Sequence, residues 1–380
     1  MPEKYKTYRI FISALDPSAD SHCAALINAL QKTSYDIEFV GVGGPKMSQA
    51  GCNLLETTTS KAVMTYKALS HILRYYRLIK SITRFLKSNK VDLVIVCDSP
   101  SFNFHIAKAA QKAGIKTIFY VAPQIWAWAG WRIGKLRKYC DKLCCILPFE
   151  QDWFRHRGID ATFVGNPLLE ELDFDSAHCK EKYVDFQPEN ARIAIMPGSR
   201  DAEINSLWRP MQKIALRLKQ ECLEAKIIAV AVDAERLQVL KKTQLVGLDC
   251  EYTIGTVSST ADACDFAIVA SGSATLQVAA VGCPMVVMYQ SSRILWYLFG
   301  WWLVKAKYLS LVNILAEKEL VPEFMPYFSS IEPIVDIIGQ ILEDRNRLAQ
   351  ISAELFKLAE PLAKKKASEQ VAKIVIETLR

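Results

Sequence analysis

The strongest constraint on this chain is an alternation of short β-branched runs with helical patterns, begun once and then begun again. Tyr8–Ala14, Ile37–Val42, Val91–Cys97, Lys116–Val121, Lys142–Leu147 and Ala161–Val164 read as strands. Helical spacing separates them at Ser21–Lys32 and Asn103–Ala113. After a Pro- and acid-rich stretch the alternation restarts with strands at Ala191–Met196, Lys226–Val232, Phe266–Ala270 and Pro284–Tyr289. Strands separated by helices imply βαβ units and parallel sheets. The expected fold is therefore α/β, with two Rossmann-like doubly wound domains and a cleft between them. The expected division is 1–168, a linker at 169–190, a second domain at 191–330 and a helical tail at 331–380.

Composition narrows the class. At 51% hydrophobic and 23% charged residues, the 380-residue chain is globular rather than disordered. A net charge of +7 does not by itself call for nucleic acid. Eleven cysteines form no C-x-x-C pair and no zinc-like spacing, which favours a reduced cytoplasmic setting and no metal. The longest apolar run, Ile294–Val304, is too short for a spanning helix.

Open α/β sheets bind ligands at the carboxyl ends of their strands, so chemistry is sought there. Pro197-Gly198-Ser199-Arg200 follows a strand and opens a helix, an arrangement that suits phosphate and equally suits a simple tight turn. Ser271-Gly272-Ser273-Ala274-Thr275-Leu276-Gln277 repeats the arrangement, and two such turns in one domain suit a diphosphate ligand. Asp98 ends an apolar strand, where a carboxylate acts as a general base or caps the next helix. Asp16-Pro17-Ser18-Ala19-Asp20 follows the first strand and is open to the same two readings. Gly41-Val42-Gly43-Gly44 lacks the third glycine of a dinucleotide fingerprint and reads as a tight turn.

Charge patterning adds a surface. Between Thr57 and Val91 stand eight Lys/Arg, Arg74, Arg77 and Lys80 among them, and no acid. Leu69, Ile72, Leu73, Tyr76, Ile79, Ile82 and Leu86 recur there near helical spacing. A basic amphipathic helix of this kind meets an anionic membrane, a nucleic acid or only solvent. Trp296 and Trp301 in the apolar run, beside Lys305, favour the membrane interface.

Nine motifs in order then carry a resemblance over nearly the whole chain. They are Gly41–Met47, Asp98-Ser-Pro-Ser-Phe-Asn103, Tyr120–Trp128, Pro148-Phe-Glu150, Phe163–Leu168, Pro197–Arg200, Ser271–Leu276, Pro284–Val287 and Ser310-Leu-Val-Asn313. The chain resembles the lipid-A-disaccharide synthase family of inverting GT-B glycosyltransferases from Gram-negative bacteria. The resemblance implies that UDP-2,3-diacylglucosamine is joined to 2,3-diacylglucosamine 1-phosphate (lipid X) and UDP is released, without a cofactor. It implies Asp98 as general base. It places Gly198, Ser199, Arg200, Ser271, Gly272, Ser273, Thr275, Gln277 and Asn313 at UDP, and Asp16, Ser18, Asp20 and Asn103 on the acceptor side. It also implies peripheral attachment to the inner membrane, and a homodimer with exchanged C-terminal segments. Another UDP-sugar enzyme, such as an epimerase, or a non-catalytic membrane-surface paralogue are the alternatives.

The chain departs from the family pattern at four places. Leu15–Asp20 stands where the family has Gly-Glu-Ala-Ser-Gly-Asp, Gln277 replaces a Glu, Gln290 an Arg and Pro326 a Gln.

Overall fold

The structure is a computed structural model that describes residues 6–58, 68–170, 172, 182–221, 225–291 and 307–380. The chain forms two compact units, one comprising residues 1–170 and 364–380, the other 171–363.

The first unit holds seven parallel strands: β1 (Tyr8–Ala14), β2 (Ile37–Gly43), β3 (Asn53–Thr57), β4 (Leu93–Cys97), β5 (Lys116–Tyr120), β6 (Lys142–Cys145) and β7 (Ala161–Phe163). Their order across the sheet is β3-β2-β1-β4-β5-β6-β7. The helices are α1 (Pro17–Gln31), α2 (Pro45–Gln49), α3 (Ala68–Ser88), α4 (Pro100–Lys112), α5 (Ile125–Trp128), α6 (Ile133–Tyr139) and α7 (Pro148–Arg155).

Both faces of this sheet are covered, which is why its strands read as continuous apolar runs. Ile10 and Ile12 of β1 point into a core with Leu26, Ile27 and Leu30 of α1. Phe11 points the other way, into a core with Ile82, Phe104 and Leu136. Buried Leu78, Ile82 and Leu86 are what hold α3 to that second face.

The glycines at 41 and 43 lie in β2 and not in a tight turn, which corrects the sequence reading. A Cβ on Gly41 would stand 2.1 Å from the carbonyl oxygen of Ile12, and one on Gly43 2.4 Å from Met47 Sδ. The glycines serve close approach of β2 to β1 and of α2 to β2.

The second unit repeats the plan with β8 (Arg192–Met196), β9 (Lys226–Ala231), β10 (Glu251–Ile254), β11 (Phe266–Ala270), β12 (Met285–Met288) and β13 (Glu323–Phe324). Their order is β10-β9-β8-β11-β12-β13, all parallel. The short strands β3, β10 and β13 lie outside the runs recognised in the sequence.

The C-terminal stretch 331–380, expected as one helical tail, is divided between the units. Helices Glu332–Glu343 and Arg345–Ala363 belong to the second unit. The last helix, Ala367–Leu379, returns to the first and buries Ala367, Val371, Ala372 and Val375 in the α1 core. Ser368 anchors it by hydrogen bonds to the Glu170 carboxylate.

Candidate functional site

In each sheet the strand order reverses direction at one point, between β1 and β4 in the first unit and between β8 and β11 in the second. The loops leaving the carboxyl ends of those strands diverge and leave a crevice open to ligands. The four segments singled out in the sequence are the four loops at these two points.

In the first unit, Asp98 follows β4 at φ 49° and Ser99 follows at φ 41°. Left-handed backbone is uncommon outside glycine and needs support from its surroundings. Asn103, fully buried on the first turn of α4, supplies it: Nδ2 donates to the carbonyls of Cys97 at 2.9 Å and Asp98 at 2.7 Å. Its Oδ1 accepts from Ser13 Oγ of β1 at 2.8 Å. The Asp98 amide donates to the Tyr120 carbonyl at 3.1 Å. Val121, one residue later, is also left-handed at φ 62°. Three of the four non-glycine residues with positive φ among the described residues thus lie at the ends of β4 and β5. Asp98 itself is half-buried at this bend, at the carboxyl end of β4.

Asp16 caps α1. Its Oδ1 accepts from the amides of Ser18 at 3.1 Å and Ala19 at 2.9 Å, and from Ser18 Oγ at 2.8 Å. Its Oδ2 accepts from Ser99 Oγ at 3.1 Å. Asp20, expected on the acceptor side, is buried, and its carboxylate accepts the amides of Gly44, Lys46 and Met47. It fixes the start of α2 and so shapes the loop from beneath. His22, two residues further along α1, is buried, and burial pushes its imidazole down to about 4 against the raising pull of Asp16.

A second buried carboxylate lies behind the β5 loop. Glu150 accepts from Trp126 Nε1 at 2.9 Å and from the amides of Leu147 at 3.1 Å and Ile146 at 3.2 Å. Desolvation outweighs these bonds and raises its carboxyl to about 7. The bond to Trp126 ties α5 to the N-terminus of α7.

In the second unit, Gly198 adopts φ 106°, and a Cβ there would stand 2.7 Å from the Cβ of Glu203. Glu203, on the first turn of the helix Asp201–Glu221, lies against this glycine. Its Oε2 accepts from the amides of Ser199 at 2.9 Å and Arg200 at 3.2 Å, and its Oε1 from Arg200 Nη1 at 2.8 Å. The turn therefore holds an internal carboxylate on the donors expected to receive phosphate. The Arg200 side chain is 82% exposed.

After β11, Ser271 donates its amide to the Met288 carbonyl at 2.8 Å, and buried Thr275 closes the turn through Oγ1 to the Gly272 carbonyl at 2.7 Å. Nothing stands within 4 Å of where a Gly272 Cβ would be, and Gly272 and Ser273 are exposed. Gln277 is half-buried on the helix Ala274–Ala280.

Asn313 is buried, and its amide is committed within the chain. It donates to the Val321 carbonyl and Glu323 Oε2 and accepts from the amides of Leu320 and Val321. It shapes the 317–323 loop rather than projecting toward a ligand. Gln290 Oε1 accepts from the Phe328 amide at 3.2 Å.

On α3, Arg74 is drawn to Glu56 by bonds of 3.1 and 2.9 Å. Arg77, Lys80, Arg84 and Lys87 are exposed, together with Leu73 and Tyr76. Trp296 and Trp301 lie outside the described residues. Among the described residues no helix is long and apolar enough to cross a membrane.

The residues that sequence reading missed are the supports: Ser13, Ser99, Glu150 and Glu203. A serine inside the apolar β1 run and a glutamate two residues after Pro148 were the available signals.

Comparison with known proteins accounts for this arrangement. Residues 10–375 match the family described as lipid-A-disaccharide synthetase. Lipid-A-disaccharide synthase 1 of Legionella pneumophila is 32% identical, over 98% of this chain and 97% of its own length. The lipid-A-disaccharide synthase of Geobacter sulfurreducens is 30% identical, over 98% of each chain. Among solved structures, the UDP complex of S. aureus MnaA superposes with a TM-score of 0.65 at 14% identity, covering 98% of this chain and 97% of that one. MurG of Acinetobacter baumannii superposes with a TM-score of 0.57 at 14% identity, covering 97% and 99%. These likenesses identify the fold as GT-B-like. The two parallel sheets, their paired switch-point loops and the match along almost all of its length place the chain in the lipid-A-disaccharide synthase family of glycosyltransferases.

Proposed function

We propose that this chain joins UDP-2,3-diacylglucosamine to 2,3-diacylglucosamine 1-phosphate with inversion at the anomeric carbon, releasing UDP. The observation that supports this mechanism is the left-handed bend at Asp98, held by Asn103 at the carboxyl end of β4. Asp98 accepts the proton of the acceptor 6-hydroxyl as that oxygen attacks C1 of the donor sugar. The bond from C1 to the phosphate oxygen breaks, and UDP leaves with the electron pair.

The donor is held by the second unit. Gly198, Ser199 and Arg200 face the diphosphate, and Ser271, Gly272, Ser273, Thr275 and Gln277 line the neighbouring loop. The exposed Arg200 guanidinium turns from Glu203 to the leaving phosphate, where a fixed cation stabilises developing charge. Asn313 supports this side from within its loop. Ser18 lies on the acceptor side, which Asp16, Asp20 and Asn103 shape through bonds within the chain.

Both substrates are lipids, and α3 suits access to them. Its exposed Leu73 and Tyr76 beside Arg77, Lys80, Arg84 and Lys87 suit an anionic leaflet, which supports a peripheral attachment to the cytoplasmic face of the inner membrane. A homodimer remains part of this reading.

The test is product analysis. Protein, both lipids and detergent are combined, UDP and disaccharide 1-phosphate are followed by mass spectrometry, and the new linkage is read by NMR. A β-1,6-linked product together with UDP supports the reading. UDP without disaccharide, or an α-linkage, contradicts it.

A further inference from the structure

Two hydrogen bonds bridge the ends of β1 and β4. The first, from Ser13 Oγ to Asn103 Oδ1, is buried and steadies the carbonyl side of the Asp98 bend. The second, from Ser99 Oγ to Asp16 Oδ2 at 3.1 Å, has no part in the mechanism above.

Asp16 divides its carboxylate between two tasks. Oδ1 is taken by the Ser18 and Ala19 amides and the Ser18 hydroxyl. Oδ2 reaches across to Ser99, 83 residues away in sequence. Ser99 is itself left-handed and directly follows the left-handed Asp98. Two such residues in succession form a bend that needs holding at both ends. Asn103 holds the Cys97 and Asp98 carbonyls, and the Tyr120 carbonyl holds the Asp98 amide. On the Ser99 side chain the hold is Asp16.

We propose that Asp16 is a positioning residue, which acts through the Ser99 hydroxyl to fix the direction of the Asp98 carboxylate instead of binding the acceptor itself. This inference rests on the reading of Asp98 as the general base. A misdirected base costs turnover more than substrate affinity, because its alignment counts in the transition state.

The experiment uses Asp16→Ser, Ser99→Ala, their double variant and Asp98→Asn in the full-length protein. Serine at position 16 still caps α1 but has no second oxygen to reach Ser99. Alanine at 99 removes the other end of the same bond and leaves the cap intact. Each is assayed for kcat, acceptor KM and UDP Kd, with circular dichroism as the check on folding.

Each single variant is expected to lower kcat about 10- to 100-fold, the range for a hydrogen bond to a charged group. Acceptor KM stays within about threefold and UDP Kd is unchanged. The double variant is expected to be no slower than the worse single, because both changes remove one bond. Losses that multiply in the double variant, or a rise in acceptor KM at parental kcat, overturn the positioning role. Turnover at the parental rate in Asp98→Asn overturns the base assignment and the proposal with it. An inactive Asp98→Asn beside single variants with parental kcat overturns the positioning role alone.

Discussion

Each unit carries a sharply bent turn beside its switch point, but the two leave opposite sides of it, Asp98 after β4 and Gly198 after β8, the counterpart of β1, and they are bent by different residues. In the second unit the bend falls on glycine: Gly198 adopts φ 106° with Glu203 packed against it. In the first unit it falls on Asp98 and Ser99, at φ 49° and 41°. In the proposed mechanism the difference follows from what each turn presents. A turn that offers backbone amides to an anion needs no side chain at the bend, and glycine lets a partner come close. A turn that offers a carboxylate must carry a side chain at the bend itself, so the strain is accepted there and held by a network. Ser13, Asp16, Asn103 and the Tyr120 carbonyl are that network.

The contrast breaks most visibly at Asn103. Replacing it with alanine leaves the Ser13 hydroxyl and two carbonyls without their partner, at a cost of about 3 kcal/mol or more. The expected result for Asn103→Ala is a kcat at least about 100-fold lower with UDP affinity retained. Isothermal titration with UDP alongside the transfer assay checks it. Loss of UDP binding as well would mean that the two turns are not separable.

Two buried ionisable groups near the first unit's loops, Glu150 and His22, tie stability to pH. Glu150 is raised from 4.5 to about 7 by burial, so the folded chain binds its proton more tightly than the unfolded chain does. Its contribution to stability is therefore fully present below pH 4.5 and is lost as pH rises through about 7. At about 1.4 kcal/mol per pH unit that is a change of about 3 kcal/mol. His22 works in the opposite sense: lowered from 6.5 to about 4, it destabilises as pH falls between those values. The two offset each other between pH 4.5 and 6.5. Urea unfolding of Glu150→Gln should show stability rising with pH over that range where the parent is nearly flat. Parallel curves would contradict the assignment.

At Gly198 the expected effect is smaller. Alanine there meets Glu203 Cβ at 2.7 Å and occupies a left-handed conformation costing about 1–2 kcal/mol. Gly198→Ala is expected to weaken UDP binding about tenfold while kcat at saturating donor falls less. A change in kcat alone would place the turn elsewhere in the mechanism. Arg200→Ala is expected to weaken UDP binding severalfold at most, because exposed charge is screened by water and salt.

Much of this was legible in the sequence. The βαβ alternation, its single restart and the four strand-end loops stand out because parallel strands are buried on both faces and read as apolar runs. The two bonds that cross from the end of β1 to the Asp98 turn were not legible, since each joins residues distant in the chain. Ser99 meets Asp16 across 83 positions and Ser13 meets Asn103 across 90. No local periodicity records such a pair. The left-handed state of Asp98 was hidden for the same reason: aspartate is common at helix starts, and only the partners of Asn103 show that the backbone is bent before α4 begins. The glycines at 41 and 43 misled because Gly-rich segments suggest turns, whereas here they serve close strand and helix approach.

The central claim is the proposed role of Asp98, held at the end of β4, as the base that deprotonates the acceptor. Parent and Asp98→Asn protein, matched for folding by circular dichroism, would be given both lipid substrates in detergent, with disaccharide followed by mass spectrometry and UDP affinity by calorimetry. The expected result is UDP affinity equal in the two proteins and disaccharide formation at least about 1000-fold slower in Asp98→Asn. Disaccharide formed by Asp98→Asn at the parental rate would contradict the account.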